Sequence, residues 1–358
     1  MIKRNNGVNR IVFADVLRTL AIFAVIIIHI CGSFSIASFH TTNLSNWWVE
    51  NIFNSFSKWS VPIFFMVSGM FLLNPSQSDT MSVFFKKRFN KVMIPFFAWG
   101  VIYVIIKPRY TGVDFSLKGM VLDFLSGSIY WHFWFFYAII MIYILTPIIK
   151  SFTSQASKSV LIYALSIWFA MCSVLPLVEF LLKVNLNSST DISFIGSCVG
   201  YFVLGHFLYK YEIGNKMKIL IYFAGSISVI STPLLTYFLT KNNDGNLNSF
   251  FYEYFSITVV SMSAALFVLV KSIDWVKLFG NRNNNLLRVI KTISECSFGI
   301  YIVHFCILNE LAQSTIGVFQ WHTSAIIRVP LLSVSIFLIS FVIVYLLKKI
   351  PLIKKIVP

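Results

Sequence analysis

Ten segments of this chain are long and apolar enough to be read as membrane spans, and that pattern leaves few folds open. They are 11–36, 52–73, 92–107, 129–149, 159–182, 193–209, 219–240, 254–270, 293–312 and 326–347. A helical span needs about 20 mostly apolar residues, a barrel strand only about 10. Without water, only helices and closed barrels satisfy every backbone N–H and C=O. The segment lengths select helices. We therefore read an all-α fold, a polytopic membrane helix bundle of about ten transmembrane helices. Segment 92–107 is short, and 52–73 opens on polar Asn54, Ser55, Ser57 and Lys58. Only 12% of residues are charged, against about 25% in soluble domains. The sequence shows no internal repeat, low-complexity tract or appended soluble domain. One membrane domain, 11–347, is expected between tails 1–10 and 348–358.

Loop charge predicts the orientation. With the N-terminus in the cytoplasm, 21 of the 29 Lys and Arg fall in inner loops and tails and 7 in outer ones. Cationic loops stay inside, so both termini are expected to be cytoplasmic and the protein a multi-pass component of the cell (inner) membrane. The same rule accounts for the net charge of +16 without nucleic acid as a partner. Residues 1–10 resemble a signal-peptide n-region, but the apolar run that follows is too long, contains Arg18 and lacks a small-x-small cleavage site, so it reads as a retained anchor. The longest outer connection, 107–128, holds a moderately apolar piece suited to lie along the surface. Cys31, Cys172, Cys198, Cys296 and Cys306 sit in apolar segments and read as buried small hydrophobes rather than disulfides.

The first span carries Asp15, Arg18 and His29. An ionisable group inside a membrane helix is costly unless paired or wetted, which makes it a functional-site hypothesis by default. Arg18 and His29, eleven residues apart, lie within about 20° of one face and are separated by roughly 16 Å along the axis. Asp15 lies on the same side. One stripe thus joins the membrane edge to a histidine well inside. Snorkelling of Arg18 and a hydrogen-bonded structural histidine are the plain alternatives. A histidine titrates near neutrality and can take a hydroxyl proton, so His29 is the candidate general base.

Four further segments stand out. Lys86-Lys87-Arg88-Phe89-Asn90-Lys91, in the inner loop entering the third span, is either a positive-inside anchor or a phosphate site, with Arg88 and Lys91 on one face at i, i+3. Val61-Pro-Ile-Phe-Phe-Met-Val-Ser68-Gly69 permits close helix approach. Tyr130-Trp-His132-Phe-Trp134-Phe-Phe-Tyr137 is an aromatic belt or a site containing His132. Ser297, Tyr301 and His304 form a stripe at i, i+4, i+7. His40 and His322 fall in outer loops, and His206 reads as interfacial. No metal-ligand spacing, GxSxG elbow, P-loop or dinucleotide fingerprint occurs, so no metal is expected.

Taken in order, Asp15-x-Leu-Arg18-x(10)-His29, the Val61–Gly69 segment, the basic stretch ending in Ile94-Pro95, His132-Phe-Trp134-Phe-Phe and Ser297-Phe-Gly-Ile-Tyr301-Ile-Val-His304 resemble the integral-membrane acyltransferase 3 family. The resemblance runs from about residue 10 to 347. It is strongest to short members without a fused esterase-like domain, of the enterobacterial common antigen O-acetyltransferase type.

The resemblance implies transfer of an acetyl or similar acyl group from cytoplasmic acyl-CoA, as substrate and not bound cofactor. The acceptor it implies is a hydroxyl of a cell-surface glycan or its lipid-linked precursor. It carries over Arg18 and His29 as the catalytic motif, and Arg88, Lys91 and Arg18 as acyl-CoA contacts. Lys91 stands where arginine is frequent, and Phe133 where leucine is common. Asp15, Ser68, Gly69, His132, Trp134, Tyr301 and His304 would line the site, with Tyr301, His304 or His132 available as oxyanion donors. The competing reading is a secondary transporter or flippase of a polar or lipid-linked substrate, although paired Gly/Pro-broken helices in matching halves are not evident.

Overall fold

The computed structural model describes residues 11–34, 39, 43–74, 80–112, 115–184, 194–279, 284–312 and 324–358. Among them there is helix and turn but no strand. The elements are α1 (Val12–Phe34), α2 (Leu44–Ser57), α3 (Ser60–Leu72), α4 (Met81–Arg88), α5 (Ile94–Thr111), α6 (Leu117–Ser126), α7 (Trp134–Gln155) and α8 (Lys158–Phe169). They continue with α9 (Leu175–Leu182), α10 (Phe194–Lys210), α11 (Asn215–Lys241), α12 (Ile257–Ser272), α13 (Trp275–Phe279), α14 (Asn285–Ala312) and α15 (Ala325–Leu347). Among the described residues, eight helical stretches are long and apolar enough to cross a membrane. The other two predicted segments are also helical, as α10, of 17 residues, and α14, of 28 residues with charges near both ends. The tail 1–10, the loop around 185–190, His40 and His322 lie outside the described residues.

Two predicted boundaries shift most. The second span begins at Leu44, because α2 and α3 run on as one stretch broken only at Lys58 and Trp59. Its polar half escapes a hydropathy reading because Glu50, Asn51, Asn54, Ser55 and Ser57 are buried against protein, not lipid. The third span reaches back to Met81. The basic stretch expected in a loop is helical, with a π turn at Phe89–Met93 joining α4 to α5. The surface piece of 107–128 is α6, capped by Ser116 and ended by left-handed Gly127. It packs on α5 where a Cβ at Gly100 would sit 2.5 Å from Phe124, and Lys107 bridges to Asp123 at 2.7 Å.

α1 is the hub, packed against α14, α3, α2, α15 and α12. Apolar side chains such as Ile148, Ile219, Phe223, Ile230 and Leu338 point outward, as a lipid-facing belt requires. Helices α3 and α10 cross closest: a Cβ on Gly69 would lie 1.7 Å from the Phe202 carbonyl oxygen, and one on Gly205 2.0 Å from that of Met66. Two glycines, one on each helix, thus let backbone meet backbone. Glu50 on α2 and Arg328 on α15 form an ion pair with essentially no exposure.

The start of α1, the end of α3, the start of α14 and the end of α15 gather at one end of the bundle. Ile11 and Pro358 line the same cavity there. The segment 348–358 is no loose tail: it turns back beneath the helices, buries Val357, and its Ile356 carbonyl accepts from Trp99 Nε1 at 2.9 Å.

Candidate active site

Two polar regions lie along α1. The first is a cavity of about 670 Å³ at the gathered ends, lined by Asp15 and Arg18 from α1, Phe64, Ser68 and Phe71 from α3, and Lys91 from the π turn. Phe135, Ile139 and Tyr143 of α7, Lys291, Ser294, Glu295, Ser297 and Phe298 of α14, Lys348 and Pro358 complete the wall. Four cations thus meet two carboxylates, Asp15 and Glu295, in a pocket within the usual volume range of a small-molecule site. Ser294 Oγ donates to Asp15 Oδ1 at 2.7 Å, and Lys348 Nζ donates to the Glu295 carbonyl at 2.8 Å. The Arg18 guanidinium lies 5.0 Å from the Phe71 ring centroid, a cation–π seat that limits where the fork can turn.

Arg88 sits behind this wall, its guanidinium 5.6 Å from the Tyr143 ring that lines the cavity. Arg18, Arg88 and Lys348 all lie close enough to Lys91 to act on its charge. The expected i, i+3 face of Arg88 and Lys91 is altered by the π turn, whose wider winding (the Ile94 N–H bonds to the Phe89 carbonyl) re-aims the side chains. Lys91 reaches the cavity directly and Arg88 backs it.

The second region lies deeper. His29 of α1, His304 of α14 and His132, in the short turn before α7, form one cluster. Ring centroids are 5.2 Å apart for His29 and His304 and 5.5 Å for His304 and His132. Phe305 is wedged among them, 4.6 Å from His29 and stacked 4.6 Å from His132. His132 and His304 are fully buried, while His29 is partly exposed. Nδ1 of His304 meets the Tyr301 carbonyl at 2.6 Å, and the Tyr301 hydroxyl donates to the His132 carbonyl. Among the described residues no group of three His, Cys, Asp or Glu has a metal-binding arrangement.

Between the two regions stand aromatic rings. Phe64 and Phe135 line the cavity, and Phe135 packs 5.1 Å from Tyr301, which in turn touches His132. Ser297 faces the cavity, while Tyr301 and His304 fall in the deeper region, so the i, i+4, i+7 stripe on α14 spans both.

Other predicted residues divide. Ser68 lines the cavity, but its neighbour Gly69 is taken up by the α10 crossing. Trp134 packs 5.4 Å from Tyr254, outside the imidazole cluster and the cavity wall. His206 is buried in α10 rather than interfacial; the close α3–α10 crossing draws it in.

The sequence reading missed Lys291, Ser294, Tyr143, Lys348 and Phe305. Lys291 and Ser294 extend the Ser297–Tyr301–His304 stripe backwards at three-residue steps, a signal present in the sequence. Tyr143, Lys348 and Phe305 carry no local signal, because only the helix crossings bring them in.

A family model described as an acyltransferase domain matches residues 11–345. No curated protein matches the chain, and no solved structure does.

Proposed function

The chain belongs to the acyltransferase 3 family, and from that membership we propose that it moves an acetyl or similar acyl group from acyl-CoA to a hydroxyl of a cell-surface glycan or its lipid-linked precursor, with His29 as general base. The observation that carries this reading is the placement of Arg18 and His29. One helix presents the first in a cationic cavity and the second in an imidazole cluster, roughly 16 Å apart. A polyanionic donor with a long thin arm has that shape: charged at one end, reactive at the other.

In this reading the cavity end is cytoplasmic and the membrane is the inner one. The donor phosphates sit on Arg18 and Lys91, with Arg88 supporting them through Tyr143. The pantetheine arm follows the α1 stripe past Phe135 toward His29. That passage needs the rings to swing aside, since Phe64 and Phe135 line the cavity and Phe135 packs against Tyr301. The acceptor hydroxyl loses its proton to His29 and attacks the thioester carbonyl, and the thiol of CoA leaves with a proton. The reading takes transfer as direct, with an acyl-histidine relay through the imidazole cluster as its alternative.

The test is acyl transfer from radiolabelled acetyl-CoA in inverted membrane vesicles. Wild type is expected to label a membrane or glycan fraction and release free thiol, His29→Ala to do neither, and Arg88→Ala to show a raised KM for the donor. No label from any acyl-CoA overturns the reading and favours transport, with the histidines reread as a substrate or proton path.

A further inference from the structure

We infer that His304 is a positioning residue for His29: its bare Nε2 is the acceptor toward which one ring nitrogen of His29 turns its N–H when the acceptor hydroxyl binds, leaving the other nitrogen free to act as the base. For its chemistry this rests on the acyl-transfer reading above; for its geometry it does not.

The argument starts from one hydrogen bond. His304 Nδ1 lies 2.6 Å from the Tyr301 carbonyl oxygen. A carbonyl only accepts, so Nδ1 carries the proton. A neutral imidazole has a single N–H, so Nε2 must be a lone pair. That Nε2 has no hydrogen-bond partner among the described residues, in a side chain with 0% exposure. Buried acceptors are nearly always satisfied, and an exception asks for a functional account. The nearest ring on the α1 side is His29, at 5.2 Å between centroids and tilted by 33°; the two imidazoles are in ring contact without a hydrogen bond, and a rotation of the His29 side chain would bring one of its nitrogens onto Nε2.

The tautomer of one ring then fixes that of the other. An acceptor at Nε2 of His304 selects an N–H on the facing nitrogen of His29, and the second nitrogen of His29 is left as a lone pair. His29 is the partly exposed member of the pair, and it is this lone pair that takes the proton of the incoming hydroxyl. The acceptor's O–H proton goes to His29, its oxygen forms the new C–O bond, the C–S bond breaks, and the sulfur takes the proton back from the imidazolium. While His29 is charged, Nε2 of His304 holds its other N–H and spreads the charge toward the Tyr301 carbonyl. The same bookkeeping removes two of the expected oxyanion donors. The one proton of neutral His304 is committed to Tyr301, and the Tyr301 hydroxyl proton to the His132 carbonyl. His132 has two ring nitrogens without partners and remains as the donor.

The experiment uses the full-length protein in lipid nanodiscs. In His304→Asn the amide nitrogen replaces Nδ1 against the Tyr301 carbonyl, and only Nε2 is lost. We expect kcat to fall by about 100-fold, within the span of acid–base contributions, with the KM for acetyl-CoA changed by no more than about twofold. His304→Gln, whose amide oxygen reaches toward the Nε2 position, should recover about tenfold of the loss. Independently of turnover, nitrogen-15 spectra of histidine-labelled protein should show His304 protonated at Nδ1 and bare at Nε2, with the Nε2 signal moving in His29→Ala.

A His304→Asn enzyme with kcat within about threefold of wild type, or a His304 signal that is protonated at Nε2 or indifferent to His29→Ala, overturns the inference. If His304→Asn fails to fold, the His304→Gln turnover and the spectra decide. If wild type transfers no acyl group, the acyl-transfer reading falls, and the spectra alone judge the pair.

Discussion

At the scale of single residues, the bundle places its charges in settings with opposite consequences. Arg18 stands in a cavity beside Asp15, Lys91 and Lys348, its fork seated on Phe71. If it grips a donor phosphate, Arg18→Ala should raise the KM for acetyl-CoA by about 10–100-fold, the worth of one or two charge-assisted hydrogen bonds. Arg18→Lys should recover part of that, because lysine keeps the charge but not the planar fork. Steady-state kinetics in vesicles checks both.

Glu50 and Arg328, in contrast, are sealed from solvent and donor alike. Removing one partner of such a pair strands a buried charge and costs about 3–5 kcal/mol, whereas removing both for apolar side chains costs much less. Glu50→Leu should therefore unfold at a clearly lower temperature in detergent, and the double variant Glu50→Leu with Arg328→Met should regain most of the loss.

At the scale of elements, what the sequence made legible depended on what each helix faces. Helices facing lipid on one side, such as α11 and α15, announce themselves by apolar length, and their predicted and observed boundaries nearly coincide. α2 does not, since the broad face it turns to protein carries Glu50, Asn51, Asn54, Ser55 and Ser57, and its apolar outer face is short, with Ile52 and Phe56 exposed. Its polar residues therefore looked like a loop leading into a span. The basic stretch misled for a related reason. Positive-inside residues suggest a loop, but lysine and arginine have long stems that let a helix continue past the membrane edge. The stripe of α14 was legible because helical spacing is local, and so was the shared face of Arg18 and His29. The meeting of α1, α7 and α14 at the three imidazoles was not, because it is set by crossings between segments far apart in sequence.

The α3–α10 crossing yields a sharp test. Gly69→Ala places a Cβ against the Phe202 backbone, which cannot move aside as a side chain can. The helices must separate, and we expect a loss of folded protein on size-exclusion in detergent. Gly32→Ala, where a Cβ would meet nothing within 4 Å, should leave the elution profile unchanged.

At the scale of the whole molecule, the described residues nearest the two ends of the chain meet at one end of the bundle, and four cations line the cavity between them. Charge bias and geometry thus agree on an even number of crossings. Assigning that end to the cytoplasm predicts the outcome of cysteine labelling with a membrane-impermeant maleimide. Asn243→Cys, in the exposed loop at the far end of α11, should label in intact cells, and Lys354→Cys only after permeabilisation. The reverse pattern would invert the bundle.

The rings between cavity and imidazoles carry a further meaning. A path that takes polar groups most of the way along α1 comes close to puncturing the membrane it crosses. If that membrane is energised, Phe64, Phe135 and Tyr301 would be the insulation across which the ion gradient falls. Through such a plug, moving one elementary charge is worth about 2.3 kcal/mol per 100 mV, so even a rare opening would dissipate the gradient. Phe135→Ala, by thinning the plug without touching a charge, should make vesicles leak protons in a pH-jump dye assay while leaving His29 in place.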